Sequence, residues 1–541
     1  MKRQTKRLAL VTGAAGTVLA LGATAALAGP GTTRTGLTTT VAPYVLPVAD
    51  GVDITSLFTV GDKPAGNGYR MVGIPDGLGA LPSGRRTVDV FMNQELPNNR
   101  GAVRAHGQTG AFVSRLTVDP RTGAVLAGDD LIKSVRHWQY AAGTYGATPA
   151  PPAGSTQLPQ FSRFCSGALT APGQLMNKRS GKGFDGQLYF ANEENGNDGR
   201  AFAVGLDGTA YQLPRLGLFS WENTLTAANR TDTTLVMGNE DGGDGQLRVY
   251  RGTKTKTGEA VDRAGLNNGV LSVIDVVNEA VTNDAEFRAA YGKNNPAPVD
   301  LSEIDWNQSG TAQNTEAHDE GLSLNRIEDG AFDPRHANDY YFNTTEGGSK
   351  DPHPEVGGET RDGGGLWRLS FRDIEKPELG GTLTLLLDGS EAPFLNKPDN
   401  MTIDEKGNLL LQEDPGNNAS VARIVAYRIE DGALGVVAQF DPARFGAPAT
   451  GQPSFITQDE ESSGILDVSK LLGRPGTFLF DAQVHKGRPD PEVEEGQLLT
   501  MTVGSWDAVY GTQGHGGQNR HQDDNGNHER NGNQEGDGGN D

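Results

Sequence analysis

Cysteine occurs once in the 541 residues, at Cys165 within "RFCSGALTAPG". A single thiol excludes any intramolecular disulfide, so Cys165 is a buried space-filler, a nucleophile or a metal ligand. Aromatic residues make up only 7% of the chain and charged residues 21%, while glycine reaches 75. That balance argues against a helical protein and for a turn-rich, all-β one. Long apolar runs are also missing after residue 28, which excludes a later membrane-spanning helix. Positive charge is scarce: the net charge is −22. A surface this acidic repels phosphate backbones and excludes nucleic acid as a partner, but suits divalent cations.

The first 28 residues hold the one long apolar stretch. Lys2, Arg3, Lys6 and Arg7 precede "LALVTGAAGTVLALGATAALA", and Ala26-Leu27-Ala28 offers a small-x-small cleavage site. This is the pattern of an export signal, with an uncleaved anchor as the alternative. The segment contains no acid, so its removal leaves the chain at −26. A secreted, periplasmic or cell-surface location follows, with no integral membrane domain once the signal is cleaved. Residues 29–84 read as an N-terminal segment closing onto the main domain at 85–511. From 512 to 541 the chain reads "TQGHGGQNRHQDDNGNHERNGNQEGDGGND" after Gly511, with nothing to bury, and is expected to be a disordered tail.

One unit recurs: a short apolar strand, acid or amide residues at its end, and a Gly- or Asn-rich turn. It appears as "TVDVFMNQEL", "GQLYFANEENGNDG", "TTLVMGNEDGGDGQLRVY", "NDYYFNTTEGG", "GNLLLQEDPGNN" and "GTFLFDAQVHKG". Units of this size cannot bury both faces alone, so the repetition predicts a six-bladed β-propeller with loop and short-helix insertions at 129–160 and 252–318. If these are the channel-lining strands, Glu95, Glu193, Glu194, Glu240, Asp241, Glu346, Glu413 and Asp414 converge at one mouth of the axis. Such a crowd of carboxylates needs positive charge among them, and flexible oxygen-rich loops suit Ca2+. For each acid taken alone, solvation of an exposed turn is the competing reading.

In this setting several ordered motifs resemble the PhoX-type alkaline phosphatases, exported six-bladed propellers with iron and calcium at the active site. They are "RFCSGALTAPG" with "LYFANEEN", "LGLFSWENT", "RIEDGAFDPRHANDYYFNTT", "KPDNMTIDEKGNLLLQED", and finally "ESSGILD" with "FLFDAQVHKG". The departures are Trp221 where the family has His, Asn192 where it has Cys, and Gln483-Val484-His485-Lys486-Gly487 for its Gln-His-Pro-Gly. The leader also lacks the family's twin arginine. The resemblance implies that Cys165 ligates Fe3+, that Glu193, Glu194, Glu222 and Glu328 supply carboxylates to iron or Ca2+, and that Arg326 binds the phosphoryl group. Asp399, Asn400, Glu413, Asp414, Glu240, Asp241 and Glu461 are further candidates, with blade-closing turns as the alternative for Asp399 and Asn400.

The implied activity is that of a secreted, monomeric, metal-dependent phosphatase acting on small phosphate monoesters. Two rivals share the fold expectation: a non-enzymatic calcium-binding propeller, and an iron-free calcium-dependent hydrolase of phytase or lactonase type. Only the iron reading needs the thiolate of Cys165. No Gly-x-Ser-x-Gly element and no zinc-type histidine spacing competes with it.

Overall fold

The computed structural model describes residues 29–511 apart from 346–352, 355–359, 362, 390, 392–394 and 417–419. The leader, the polar tail and Glu346 therefore lie outside the described residues. Within them the chain is a six-bladed β-propeller. Its innermost strands are Pro75–Pro82, Phe164–Leu169, Trp221–Thr226, Ile327–Phe332, Pro398–Ile403 and Glu460–Asp467, in blades 1 to 6. Each packs beside the next, and the sixth packs beside the first.

The six apolar repeats of the sequence are strands Val88–Gln94, Leu188–Glu193, Thr233–Glu240, Asp339–Thr344, Asn408–Glu413 and Thr477–Gly487. They are the second strand of each blade, not the channel-lining strand, which corrects the expectation above. The physical reason is burial. Neighbouring blades cover both faces of a second strand, so Val88–Gln94, Leu188–Glu193 and Asn408–Glu413 are buried at every residue and read as continuous apolar runs. The innermost strands face the polar axis on one side and carry a weaker signal.

The ring closes in blade 6, where the early strand Val52–Thr59 pairs antiparallel with the late strand Glu494–Val503. Ile54, Phe58, Phe480, Leu498, Leu499 and Met501 are all buried around this closure. Blade 1 begins at Pro75, so a boundary at 84/85 would cut its first hairpin. Asp…Gly turns form at 119–126 and 404–411. Asp119 and Asp404 each accept a backbone N–H two residues on, at 2.9 and 2.8 Å, and Gly123 and Gly407 take positive φ of 71° and 86°. In the second insertion, strand Ala297–Ile304 pairs with both Val270–Val276 and Gly381–Asp388, fusing blades 3 and 4 into one sheet. The short helices expected in the 252–318 insertion include Asp284–Ala290, capped by Asn283.

Deleting residues 29–59 should remove both outer strands of blade 6, Thr32–Thr35 and Val52–Thr59, together with the edge strand Val45–Pro47 of blade 5, and leave the edge of Glu494–Val503 bare. The expected outcome is loss of the cooperative thermal transition by circular dichroism, with aggregation; a truncated chain melting like the full one would show the closure to be dispensable.

Candidate active site

One register position repeats around the axis. In blades 1 to 6 the innermost strand pairs Pro75, Phe164, Trp221, Ile327, Pro398 and Glu460 with Gln94, Glu193, Glu240, Thr344, Glu413 and Val484. The residue that follows the first set is Asp76, Cys165, Glu222, Glu328, Asp399 and Glu461. In blades 1 to 5 the ladder slips at or just after this residue, and such a bulge re-aims side chains. The residue that follows the second set is Glu95, Glu194, Asp241, Thr345, Asp414 and His485. Its N–H donates to the carbonyl preceding the pair in every blade: Ile74, Arg163, Ser220, Arg326, Lys397 and Asp459. Both rings come from one repeated backbone arrangement.

Two groups of ligand-type atoms gather within 4.8 Å of one another: Asp76, Glu95 and Cys165, and Glu222, Glu328 and Asp399. Burial is the largest cause pushing Asp76, Cys165, Glu222, Glu328 and Asp399 well above their ordinary values, and neighbouring acids push the same way. For Cys165 the next causes are Glu222 and Asp76; for Asp399, Glu222 and Glu461. The two groups therefore sense each other across the axis. Glu222 Oε1 and Asn400 Oδ1 are buried with no hydrogen-bond partner. A buried carboxylate oxygen and amide oxygen left unsatisfied in this way are costly, and the donor set fits bound cations. The carboxylates suit Ca2+, while the thiol beside Asp76 and Glu95 suits a transition metal.

Fixed positive charge is also present. Arg326 has a positive φ of 56°, an uncommon conformation outside glycine. Its Nε and Nη2 reach Asp241 at 2.8 and 3.1 Å, and Nη2 reaches Glu328 Oε1 at 3.1 Å. Arg326 and Glu328 thus share a face. Arg163, with φ 49°, binds Glu95 at 2.9 Å and also Glu194. In blade 6, His485 Nδ1 lies 2.8 Å from Glu494 and its Nε2 3.6 Å from Glu461. Burial alone would lower its pKa, but these two acids outweigh it and push His485 up to about 12.

Three of the expected acids turn away from the clusters. Glu193, Glu240 and Glu413 end the second strands and pair with Arg200, Arg248 and Arg423 of the third. Ser162 N–H takes another lone pair of Glu193 at 3.1 Å, so Glu193 is not among the gathered ligands. Their successors Glu194, Asp241 and Asp414 are the ones that face the mouth. Burial and Glu461 raise Asp414 to about 8. Glu461 is half-buried beside His485, and Asn400 crosses the axis to Ser166. The sequence reading missed Asp76 and His485. Asp76 was findable, since "IPDGL" repeats the aliphatic–acid–small pattern of "RIEDGAF". Trp221 is buried and stacked on Phe219 at 3.9 Å, filling the space between blades 2 and 3.

Residues 205–465 match the family model described as alkaline phosphatase PhoX. Over that span the chain is PhoX-like. Among solved structures it is similar to Pseudomonas fluorescens PhoX in complex with vanadate, with a TM-score of 0.58 and 13% identity over 86% of this chain and 98% of that one. It also aligns with a luciferin-regenerating enzyme (10% identity, 80% and 92% covered, TM-score 0.29) and with the catalytic domain of a Coprinopsis cinerea GH62 α-L-arabinofuranosidase (9%, 83% and 97%, 0.28). Scores that low carry no argument. No curated protein sequence matches the chain.

Without cations the raised carboxylates bind protons that their unfolded counterparts release. Their contribution is then full below about pH 4 and is lost as pH rises through the folded values, near 8 for Asp414. Chelator-treated protein should therefore lose melting temperature between pH 5 and 8, and added Ca2+ should restore it. A melting temperature unaffected by chelator at pH 8 would contradict the cation reading.

Proposed function

We infer that this protein is an exported, metal-dependent phosphatase that hydrolyses small phosphate monoesters at the axial mouth. The observation that carries the reading is the pair of buried ligand groups beside Arg326, built from equivalent positions of different blades. The family match supports phosphatase chemistry. The Pseudomonas PhoX was captured with vanadate, described as a transition-state analogue, and such a dianion suits a mouth of this kind. The basic, apolar leader supports export.

Asp76, Glu95 and Cys165 would hold iron, and Glu222, Glu328 and Asp399 would hold calcium. When bound, such cations neutralise the phosphoryl oxygens and supply or orient the attacking oxygen. The remaining work falls to the chain's own side chains. With Nε and Nη2 of Arg326 engaged by Asp241 and Glu328, its Nη1 is the guanidinium nitrogen left to bind an equatorial phosphoryl oxygen, whose charge grows in the transition state. Asp241 and Glu328 hold that guanidinium in orientation before substrate arrives. Thr345 donates its hydroxyl to Glu328 Oε1 at 2.7 Å, fixing the carboxylate. Arg163 holds Glu95 and Glu194 in the same manner on the opposite side.

Arg326→Ala should lower kcat/KM on a generic aryl phosphate by about 100- to 1,000-fold, the usual loss for one charge-stabilising donor. Unchanged kinetics would reduce Arg326 to an ion-pair residue. Cys165→Ala should abolish activity while leaving the β-sheet circular dichroism spectrum intact. Metal analysis of protein purified without chelator should find iron together with calcium. Calcium alone, with activity surviving Cys165→Ala, would favour the iron-free hydrolase instead.

A further inference from the structure

On the face of the ring opposite the mouth, a cavity of about 430 Å3 opens between blades 6 and 1, within the ~300–1,000 Å3 range of small-ligand sites. Its residues stand at the far ends of the strand ladders. Val88 pairs with Pro82 and Val90 with Ala80, well down the strands from the Pro75–Gln94 pair at the mouth. Leu479 pairs with Leu466, likewise remote from the Glu460–Val484 pair. The floor is aliphatic: Leu57, Val88, Val90, Val468 and Leu479 belong to the core between the two blades, with Leu472 partly buried against them. The outer wall is a strap. Arg34 in strand Thr32–Thr35 pairs with Thr55 of blade 6, Gly36 N–H donates to the Ser56 carbonyl at 2.8 Å, and Thr38 Oγ1 accepts the N–H of Val125 in blade 1 at 2.8 Å. Leu37 of this strap lines the cavity and is 75% exposed, the most exposed large hydrophobic among the described residues.

The rim is cationic, against the sign of the whole chain. Three arginines line it, Arg34, Arg121 and Arg474, all exposed. Arg474 Nη2 donates to the carbonyl of Arg121 at 2.7 Å, an anchor that leaves its charge uncompensated. Arg34 has no ion-pair partner among the described residues. The one acid in the lining, Asp119, already accepts the Arg121 N–H at 2.9 Å and lies 3.5 Å from its guanidinium. In a chain of net charge −22, an opening with three guanidinium groups and one carboxylate selects an anion. The lining has no aromatic ring for stacking and no side-chain amide for hydrogen bonding, so the body of that anion is a flexible saturated chain.

We propose that this cavity binds a fatty acid, with the alkyl chain against Leu57, Val90 and Leu479 and the carboxylate at Arg34, Arg121 and Arg474. The site is separate from the axial ligand groups and does not depend on the phosphatase reading.

The test is isothermal titration of the full metal-loaded protein with hexanoate, octanoate and decanoate, and with 1-octanol as the uncharged match. Each methylene added should tighten binding by up to about fourfold, so decanoate should bind at least about tenfold more tightly than hexanoate. 1-Octanol should bind at least about threefold more weakly than octanoate, because it gives the arginines no charge to meet. Arg34→Gln and Arg121→Gln, both at exposed side chains, should each weaken decanoate severalfold at an unchanged melting temperature. Ala80→Leu, which fills the floor, should weaken it as well. A carboxylate captured only by axial cations would bind without regard to chain length, and that result overturns the site. So does the absence of decanoate binding, or an affinity unmoved in all three variants. 1-Octanol binding as tightly as octanoate overturns the anionic assignment.

Discussion

The site depends on an amide clamp between blades. The residue just before the paired strand end is Asn93, Asn192, Asn239, Asn343, Gln412 and Gln483 in blades 1 to 6. Five of these amides reach into the next blade's innermost strand. Asn93 donates to the carbonyl of Cys165 at 2.6 Å, Asn239 to Glu328 at 2.5 Å, and Asn343 to Pro398 and Asp399 at 2.7 Å each. Gln412 donates to Ser463 at 3.3 Å, and Gln483 to Asp76 Oδ2 at 3.1 Å. Tyr189 and Tyr340, from the next blade, in turn donate to Asn93 and Asn239 at 3.0 and 2.7 Å. Bulged backbone has carbonyls that its own ladder leaves unpaired, and leaving them so in the interior is costly. The clamp satisfies them and, in the same contact, fixes the residue that bears the ligand.

The exception is informative. Asn192 is fully buried, and both its amide atoms lack partners. It stands in blade 2, whose clamp would reach blade 3, where Glu222 also has an unpartnered oxygen. These positions coincide with two of the departures from the PhoX pattern, Asn192 and Trp221. Two of the three departures within the propeller therefore fall at one blade junction, while the third, at 483–487, lies in the second strand of blade 6.

The blade number and the acid-rich strand ends were legible in the sequence because second strands buried on both faces stand out as apolar runs. The ligands themselves were less so. Periodicity cannot say which oxygen of a strand-end pair turns inward: Glu193 and Glu194 are adjacent, yet the first binds Arg200 and the second faces Arg163. The partner that decides this, Arg200, lies just before the third strand Ala201–Gly205, seven residues from Glu193. Asp76 was hidden because its strand, "PDGLGALP", is short on apolar residues and precedes the first apparent repeat. Cys165, Glu222 and Glu328 were reached through motif resemblance, and the shared bulge explains why those motifs look alike. His485 acquires its charge from Glu461 and Glu494, which only the folded blade brings together.

The central claim is that equivalent positions in separate blades assemble two cation sites on one axis. Anomalous diffraction from crystals of the metal-loaded protein, measured on both sides of the iron edge, tests it directly. An iron signal bounded by Asp76, Glu95 and Cys165 is expected, with a lighter cation bounded by Glu222, Glu328 and Asp399. Cations bound only elsewhere on this acidic surface, with both axial groups free of them, would contradict it.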